Sequence, residues 1–485
     1  MAEIKVCDPV SVPVSVLQEL RELRAQLNQL RQDVQRLGQD NESLRQENQR
    51  LEAELDQARR QSKRQAAPFS KGPPKSQPKT PGRKPGSAHG RHAHREPPAP
   101  GAVDEVLDAP LPGACPHCGA MVHETQVATQ FQTEIPRRPL IRQFNVHVGC
   151  CCGCGARVQG RHPLQTSDAL GAAASQVGPD AQAAVVTLNK EAGLSHGKVV
   201  AVLGGLFGIE LTRGASAQIV LRAAGRLHSA HQEILREVKA SPVVTPDETG
   251  WRIGGQPAWL HAWVAERATC YAIDPHRSAD ALQRVIGIDW GGVLAHDGWS
   301  SYDRFFEATH QQCLGHVLRR ARELLAKATR GAVHYPRQLI GLFTEAIHLR
   351  NRHLRGELSA AALAAARAGF DARLRRLAHP PRVVREYDRL SWHLWRHLDE
   401  WFVFLERPWV EATNWKAEQA IRPAVVNRKV WGGNRTEAGA RAQGVLLSVL
   451  RTCWQAGRSA LDFVSQSLRA FGNPPLQQPA LLLRR

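Results

Sequence analysis

Three acidic side chains stand out for the residues around them. They are Asp247 in Thr245-Pro246-Asp247-Glu248-Thr249-Gly250-Trp251, Asp297 in His296-Asp297-Gly298-Trp299, and Glu418 in Asn414-Trp415-Lys416-Ala417-Glu418-Gln419-Ala420-Ile421-Arg422-Pro423. Two aspartates and a distant glutamate supply hard oxygen ligands, and Mg2+ prefers such ligands while keeping part of its water. Two divalent ions held a few Å apart activate an attacking oxygen and stabilise a leaving one, which suits chemistry on phosphodiester bonds. Each carboxylate has a competing reading. Asp297 precedes Gly298, as in an ordinary Asp-Gly turn. Glu411 lies two helical turns before Glu418, on nearly the same face. Glu248 adjoins Asp247 but points the other way if the segment is a strand.

The elements that must position these groups follow from hydrophobic patterning. Ser241 to Ile253 reads as a strand carrying Asp247, Gln256 to Glu266 as a second strand and Ala268 to Ile273 as a third. Ser278 to Ile286 has helical spacing, with Ala281, Leu282, Val285 and Ile286 on one face. Gly292 to Ala295 is a short apolar run, read as a fourth strand that ends at Asp297. Glu418 falls in a stretch without glycine between Glu411 and Val430, which predicts a helix. Three strands, a helix, a strand and a late helix with the glutamate is the order expected of a ribonuclease-H-like core.

On these motifs the chain resembles transposases of the insertion-sequence-66 family, a group of DDE transposases. The similarity also takes in Tyr302 after Asp297-Gly298-Trp299, Gln312-Cys313-Leu314-Gly315-His316, the segment Gln65 to Lys71 and the block Pro81-Gly82-Arg83-Lys84-Pro85-Gly86. One departure is Asn414-Trp415, where relatives carry Asn-Asn. The resemblance implies a catalytic triad of Asp247, Asp297 and Glu418 holding two Mg2+ or Mn2+ ions. Asp247 would bridge both, Asp297 would hold one and Glu418 the other. It implies cleavage at the ends of an insertion element and strand transfer into target DNA, both phosphoryl transfers without a covalent enzyme intermediate. It also implies a place at the bacterial nucleoid, action as a dimer or a larger synaptic assembly, and small companion proteins from the same element.

The composition fits a nucleic-acid partner. The 485 residues carry a formal charge of +19, and 42% are hydrophobic, enough for a real core. Such a charge favours a polyanion by neutralising phosphates and releasing counterions. A ribosome-associated or membrane-surface protein is the alternative. No apolar run approaches the roughly 20 residues that span a bilayer, and no signal-peptide pattern opens the chain. A cytoplasmic protein is expected, its ten cysteines being thiols or metal ligands.

Val16 to Leu55 predicts a coiled coil. Leu20, Leu27, Val34, Asn41, Asn48 and Leu55 occupy a positions; Val16, Leu23, Leu30, Leu37, Leu44 and Leu51 occupy d. Leucine at d with asparagine at two a positions favours a parallel homodimer in fixed register. Glu19–Arg24 and Asp40–Arg45 attract between chains, whereas Glu47–Glu52 repels. One long helix packed on its own protein is the alternative. Gln61 to Pro100 holds nine Lys or Arg and one acid among Pro, Gly and Ser, the composition of a disordered linker. Within it Arg83 and Lys84 resemble a minor-groove hook, or a solvated basic spacer.

Cys115-x2-Cys118 and Cys151-x2-Cys154 predict a structural zinc site of four thiolates. Cys150 and Cys152 compete for the second pair. Four thiolates leave no open position for catalysis. Cys313 and His316 form a further Cys-x2-His pair, assigned a structural role in closing the following insertion onto the core. His316 to Leu405 is rich in Arg, Leu and Ala, with 17 basic and 8 acidic residues, and reads as a helical insertion between the second aspartate and the glutamate. Arg422, Arg428 and Lys429 follow Glu418 and are candidates for DNA contact, salt bridging being the duller option.

The reading that results is an α+β multidomain chain. Residues 1–60 are a coiled-coil dimerisation segment, 61–110 a basic linker, 111–165 a zinc-binding domain and 166–240 a helical connecting or DNA-binding region. Residues 241–312 begin the ribonuclease-H-like core, 313–405 are its helical insertion, 406–440 return the catalytic glutamate and 441–485 form a C-terminal helical segment. A catalytically inactive DNA-binding regulator and a nuclease or resolvase on the same core are the competing functions.

Overall fold

The computed structural model describes residues 14–62, 97–133, 135, 138–171 and 175–470. The segment Gln65 to Lys71, the Pro81–Gly86 block with Arg83 and Lys84, and the tail after Gly472 lie outside them. Two compact units separate: Met1–Ala66, Val177–Gly193 and Val220–Arg485 form one, Ala67–Gln176 and Leu194–Ile219 the other, in so far as they are described.

The first unit begins with α1 (Val14–Ser62), a single helix of 49 residues. Leu23, Leu27, Leu30, Val34, Leu37, Leu44, Leu51 and Leu55 are all exposed on it. Within the helix Arg50 pairs with Glu47 at 2.7 Å and with Glu54 at 3.7 Å, so Glu47 has a cation beside it in its own chain.

In the second unit the described chain is largely irregular. β1 (Val148–Cys150) and β2 (Arg157–Gln159) form a short antiparallel pair. Helix α2 (Pro179–Lys190) belongs to the first unit. Helix α3 (His196–Phe207) belongs to the second, its N-cap Ser195 accepting from the Lys198 amide. Helix α4 (Arg213–Arg226) runs from the second unit into the first, where α5 (His228–Ala240) leads to the sheet.

That sheet has five strands in the order β5-β4-β3-β6-β7. They are β3 (Val243–Ile253), β4 (Gln256–Val264), β5 (Thr269–Asp274), β6 (Val293–His296) and β7 (Thr309–Gln312), with α6 (Asp280–Ile286) between β5 and β6. β3, β4 and β5 are antiparallel neighbours. Gly254 and Gly255, both at positive φ, turn β3 into β4. Two successive positive-φ residues match the strand twist, and glycine adopts them without strain. β6 runs parallel to β3, and β7 parallel to β6. All four residues of β6 are buried, as expected of a parallel strand covered on both faces.

The pairing of β3 with β6 ends at Val244–Leu294. Pro246 comes two residues later. Proline has no amide hydrogen to donate, so it belongs where a ladder has ended. Asp247 follows immediately, and Asp297 follows the last residue of β6. Asp297 therefore stands at the carboxyl end of β6, and Asp247 stands within β3, just past the end of its pairing with β6 and still paired with β4.

Five helices intervene before the glutamate: α7 (Leu314–Lys327), α8 (His334–Leu354), α9 (Ala360–Ala378), α10 (Arg385–Arg396) and α11 (Val403–Glu406). They enclose a core of their own around Phe343, Phe370, Trp401, Phe402 and Phe404. This core is fastened to β7. Gln311 donates to the Trp401 carbonyl and accepts from the Phe404 amide, and Gln312 donates to Glu400. The two ends of the segment also meet, the Leu314 amide donating to the Ala412 carbonyl at 2.9 Å and the Asn414 amide to Cys313 Sγ at 3.3 Å.

Helices α12 (Trp415–Trp431), α13 (Glu437–Gln455) and α14 (Ala460–Arg469) complete the unit. α12 lays Ala417, Ala420, Ile421 and Ala424 on Trp251, Leu260 and Tyr271 of the sheet. Small residues bring its backbone close, and the Tyr271 hydroxyl donates to the Ala420 carbonyl at 2.7 Å. α13 approaches β5 at Gly444, where an added Cβ would lie 2.9 Å from the Tyr271 carbonyl oxygen. Gly341, on the exposed side of α8, has nothing within 4 Å of such an atom. Gly444→Ala is expected to destabilise the chain by about 1–3 kcal/mol through overpacking. Gly341→Ala is expected to stabilise it by about 0.5–1 kcal/mol through helix propensity. Urea unfolding of the two variants checks both signs.

Candidate active site

Asp247 is half-buried, and its Oδ1 accepts from the Glu248 amide at 2.9 Å. Burial pushes its carboxyl up to about 8, and the negative charges of Glu248, Asp297 and Glu418 add to the effect. Asp297 Oδ1 accepts from the Trp299 amide at 3.0 Å, so the Asp-Gly turn is present and the same carboxylate also faces Asp247. Gly298 has φ +86°, and a Cβ there would meet Gln312 Oε1 at 2.7 Å, so only glycine fits the turn. Glu418 sits in the first turn of α12, with its side chain half-exposed. The fold thus brings all three carboxylates within electrostatic reach of one point.

The neighbouring acids are engaged elsewhere. Glu248 accepts from Arg277 Nε at 2.8 Å and Nη2 at 2.5 Å, and from the Tyr302 hydroxyl at 2.9 Å. The Arg277 guanidinium lies between the rings of Trp259 and Trp299, at 5.0 and 4.6 Å from their centroids. Glu411 pairs with Arg350 at 3.3 Å and with Lys416 at 3.2 Å. Glu418 therefore has the clearer path to the aspartates.

His316 Nε2 approaches Glu418 Oε1 at 3.7 Å, while its Nδ1 is buried with no hydrogen-bond partner. Cys313 ties the entrance of α7 to its surroundings. Its amide donates to the His296 carbonyl at 2.8 Å, and its Sγ accepts from the Asn414 amide. Asp297, Cys313, His316, Arg320 and His393 line a cavity of about 330 Å³ that opens beside the second aspartate. Arg320 and His393 of this cavity carry no motif around them, and burial pushes the His393 imidazole down to about 4, so it is neutral. Only their helical placement on α7 and α10 brings them to Asp297.

A row of histidines braces Asp297 from behind. The Gly298 amide donates to His296 Nδ1 at 3.1 Å, so that nitrogen carries no proton. His296 Nε2 then donates to His310 Nδ1 at 2.9 Å, and His310 Nε2 donates to the Phe305 carbonyl at 3.0 Å. Burial keeps His296 neutral, its pKa pushed down to about 3. Among the described residues, His296, His310 and Glu400 are the one group of His, Cys, Asp or Glu whose ligand atoms all lie within 4.8 Å of one another. The carboxylates of Asp247, Asp297 and Glu418 are spread more widely.

The cysteine pairs form two turns of the same construction. The Gly119 amide donates to the Cys115 carbonyl and the Cys115 amide to the Ala120 carbonyl; Gly155, Cys151 and Ala156 repeat this, every bond at 2.8 Å. Gly119 and Gly155 have φ of 75° and 71°. Backbone amides of His117 and Cys118 lower the Cys115 thiol, and those of Cys154 and Gly153 lower Cys151. The repeated geometry makes Cys151 and Cys154 the counterpart of Cys115 and Cys118, with Cys150 and Cys152 outside it. The sulfurs of the two turns are not gathered into one cluster in the structure.

The basic candidates after Glu418 part company. Arg422 and Lys429 are exposed, whereas Arg428 is buried and donates to the Gly250 carbonyl and to Thr249 Oγ1. Arg428 thus fixes α12 to β3 and is not presented to a ligand. Among the described residues no helix is long and apolar enough to cross a membrane.

A family model described as transposase IS66 family matches residues 174–442, more than half of the chain and all three carboxylates. Among curated proteins none matches the chain.

The raised pKa of Asp247 carries a pH signature. An acid whose folded pKa exceeds its unfolded value lends stability below about 4 that is lost as pH rises through about 8. Asp247→Asn removes that loss. In metal-free protein its melting temperature is expected to exceed that of the unsubstituted chain by a few degrees at pH 8–9. The gap closes towards pH 4. Thermal unfolding across that range checks the sign.

Proposed function

The chain belongs to the IS66 transposase family, and on that premise we propose that it is a DNA transposase whose reaction centre is Asp247, Asp297 and Glu418. The observation that carries this reading is the placement of the three groups. Asp247 stands on β3 just past the end of its pairing with the parallel strand β6, Asp297 follows the last residue of β6, and a glutamate enters from the first turn of α12. The sheet order, with three antiparallel strands followed by two parallel ones, supports a ribonuclease-H-like core.

The donor set suits divalent magnesium or manganese. All three groups offer hard oxygens, and burial together with the charges of Glu248, Asp297 and Glu418 raises Asp247, a cost that a cation would relieve. Asp247 would share both ions, with Asp297 holding one and Glu418 the other. Such ions supply charge neutralisation at the attacking and leaving oxygens of a phosphodiester. The chain's own residues hold the geometry around them. His316 orients Glu418, the histidine row behind Asp297 fixes its turn, and Arg277 keeps Glu248 out of the centre. Arg320 and His393 face the cavity beside Asp297 and suit a phosphate of the DNA backbone. Arg422 and Lys429 on α12 extend the basic surface, with Arg83 and Lys84 assigned to the same partner. The exposed leucine seam of α1 suits a parallel homodimer.

A DNA end from the inverted repeats flanking the coding region, incubated with purified protein and Mg2+, tests the reading. Joined product is expected. Asp247→Asn, Asp297→Asn and Glu418→Gln are each expected to lower it by about 10²–10³-fold. His316→Ala is expected to cost about 10–100-fold while end binding is kept, the size of effect typical of a group that orients a ligand. Cleavage without joining would favour the nuclease. Binding of ends without chemistry would favour a regulator.

We assign a structural zinc ion to Cys115, Cys118, Cys151 and Cys154. Two turns with amides aimed at thiolate sulfurs are suited to closing a four-thiolate site. Metal analysis of purified protein is expected to give one zinc per chain. Cys115→Ser, Cys118→Ser, Cys151→Ser and Cys154→Ser should each release it, and Cys150→Ser and Cys152→Ser should each retain it. Loss from either of the last two would move the second pair.

A further inference from the structure

We propose that the outer face of α12, with Arg451 and Trp454 of α13, is a stacking platform for an unpaired DNA strand beside the reaction centre. Trp415, Gln419, Arg422 and Val426 are spaced by four, three and four residues, so they share one stripe of the helix. All four are exposed. The stripe begins next to Glu418, and Gln419 is its immediate neighbour.

Helix α13 extends the stripe. Arg451 Nη2 donates to Gln419 Oε1 at 3.4 Å. Its guanidinium lies 3.9 Å from the ring centroid of Trp454, which remains 56% exposed. Trp415 is 46% exposed, with Lys416 Nζ 6.0 Å from its ring. Each large aromatic ring therefore stands at the surface beside a cation. Gln419, Arg422, Val426 and Arg451 also line an open cleft of about 370 Å³. Glu191 is the one acid at its rim.

The signal lies in the combination of exposed rings, neighbouring cations and a cleft, since a single exposed ring is ordinary. Aromatic rings interleaved with cations are the recurring design for single-stranded nucleic acid. Bases stack on the rings whatever their identity, and the cations follow the phosphates. A duplex hides its base faces and has no use for the rings. An apolar protein partner would leave Arg422 and Arg451 without counter-charges, whereas Lys416 is already paired with Glu411. The surface therefore fits a strand with unpaired bases. The strand's role as an element end or displaced strand rests on the transposase reading. Its binding does not.

Full-length, zinc-loaded protein and a fluorescent single-stranded oligothymidylate test the platform, with a duplex of equal length as reference. Trp415→Ala and Trp454→Ala are each expected to weaken single-strand binding by about 5- to 150-fold, the fold-change of one lost base stack. Duplex binding is expected to stay within about 2-fold. Trp454→Phe should keep most of the affinity. Should an alanine variant fold poorly by thermal unfolding, Trp454→Leu keeps apolar bulk without a π face and is expected to show the same selective loss. Equal losses on both DNA forms, or no loss on either, would overturn the platform. Strand transfer by the unsubstituted chain is scored separately. If it fails while the selective loss is seen, the transposase reading falls and the platform stands. If it succeeds and the loss is absent, the reverse holds.

Discussion

The burial of one carboxylate, Asp247, beside other acids is the constraint around which the candidate site is arranged. Asp247 is driven to about 8 by burial and by Glu248, Asp297 and Glu418. Like charges at one place cost free energy, and the surrounding structure must fix them there. It does so with three devices. The pairing of β3 with β6 stops before Asp247 and Asp297, so both aspartates stand beside the gap between two inner strands. Glu248, the fourth acid, is neutralised by Arg277 and Tyr302. The third carboxylate enters on a helix whose small residues lie close on the sheet.

These devices depend on one another. Arg277 can hold Glu248 because Trp259 and Trp299 flank it, and the Trp299 amide is held by donating a hydrogen bond to Asp297 Oδ1. The turn at Asp297 needs Gly298, because Gln312 and His393 occupy the space a side chain would take. Gln312 is held in turn by Glu400 in the helical segment. A chain of contacts therefore runs from the insertion's aromatic core through Glu400 and Gln312 to the turn of the second aspartate.

The strand carrying Asp247, the hairpin after it and the short helix before Asp297 were legible because their apolar residues alternate or recur at helical spacing. β3, β4, β5, α6 and β6 lie within a few residues of the predicted segments. β7 was not legible. Thr309-His310-Gln311-Gln312 has no apolar pattern, and its strand form comes from pairing with β6 and from glutamine side chains bonded to distant backbone. At the site, the three carboxylates were readable from their local contexts. Arg277, Arg320, His310 and His393 were not, since each reaches the centre only through tertiary packing. Arg428 shows the opposite failure. A basic residue on a helix reads as a surface group, yet a carbonyl of β3 draws it inward.

The segment between β7 and α12 leaves the core at Leu314 and returns at Ala412, and these two residues are hydrogen-bonded to each other. Nearly a hundred residues thus begin and end at almost one point. Such a segment is a loop closed at its own base. The seam at its neck sets where α12 begins, so residues of the segment away from that seam and from its contacts with β7 and Gly298 can change without moving Glu418. The core and its cassette can then change at different rates, one held by chemistry and the other by whatever the cassette meets.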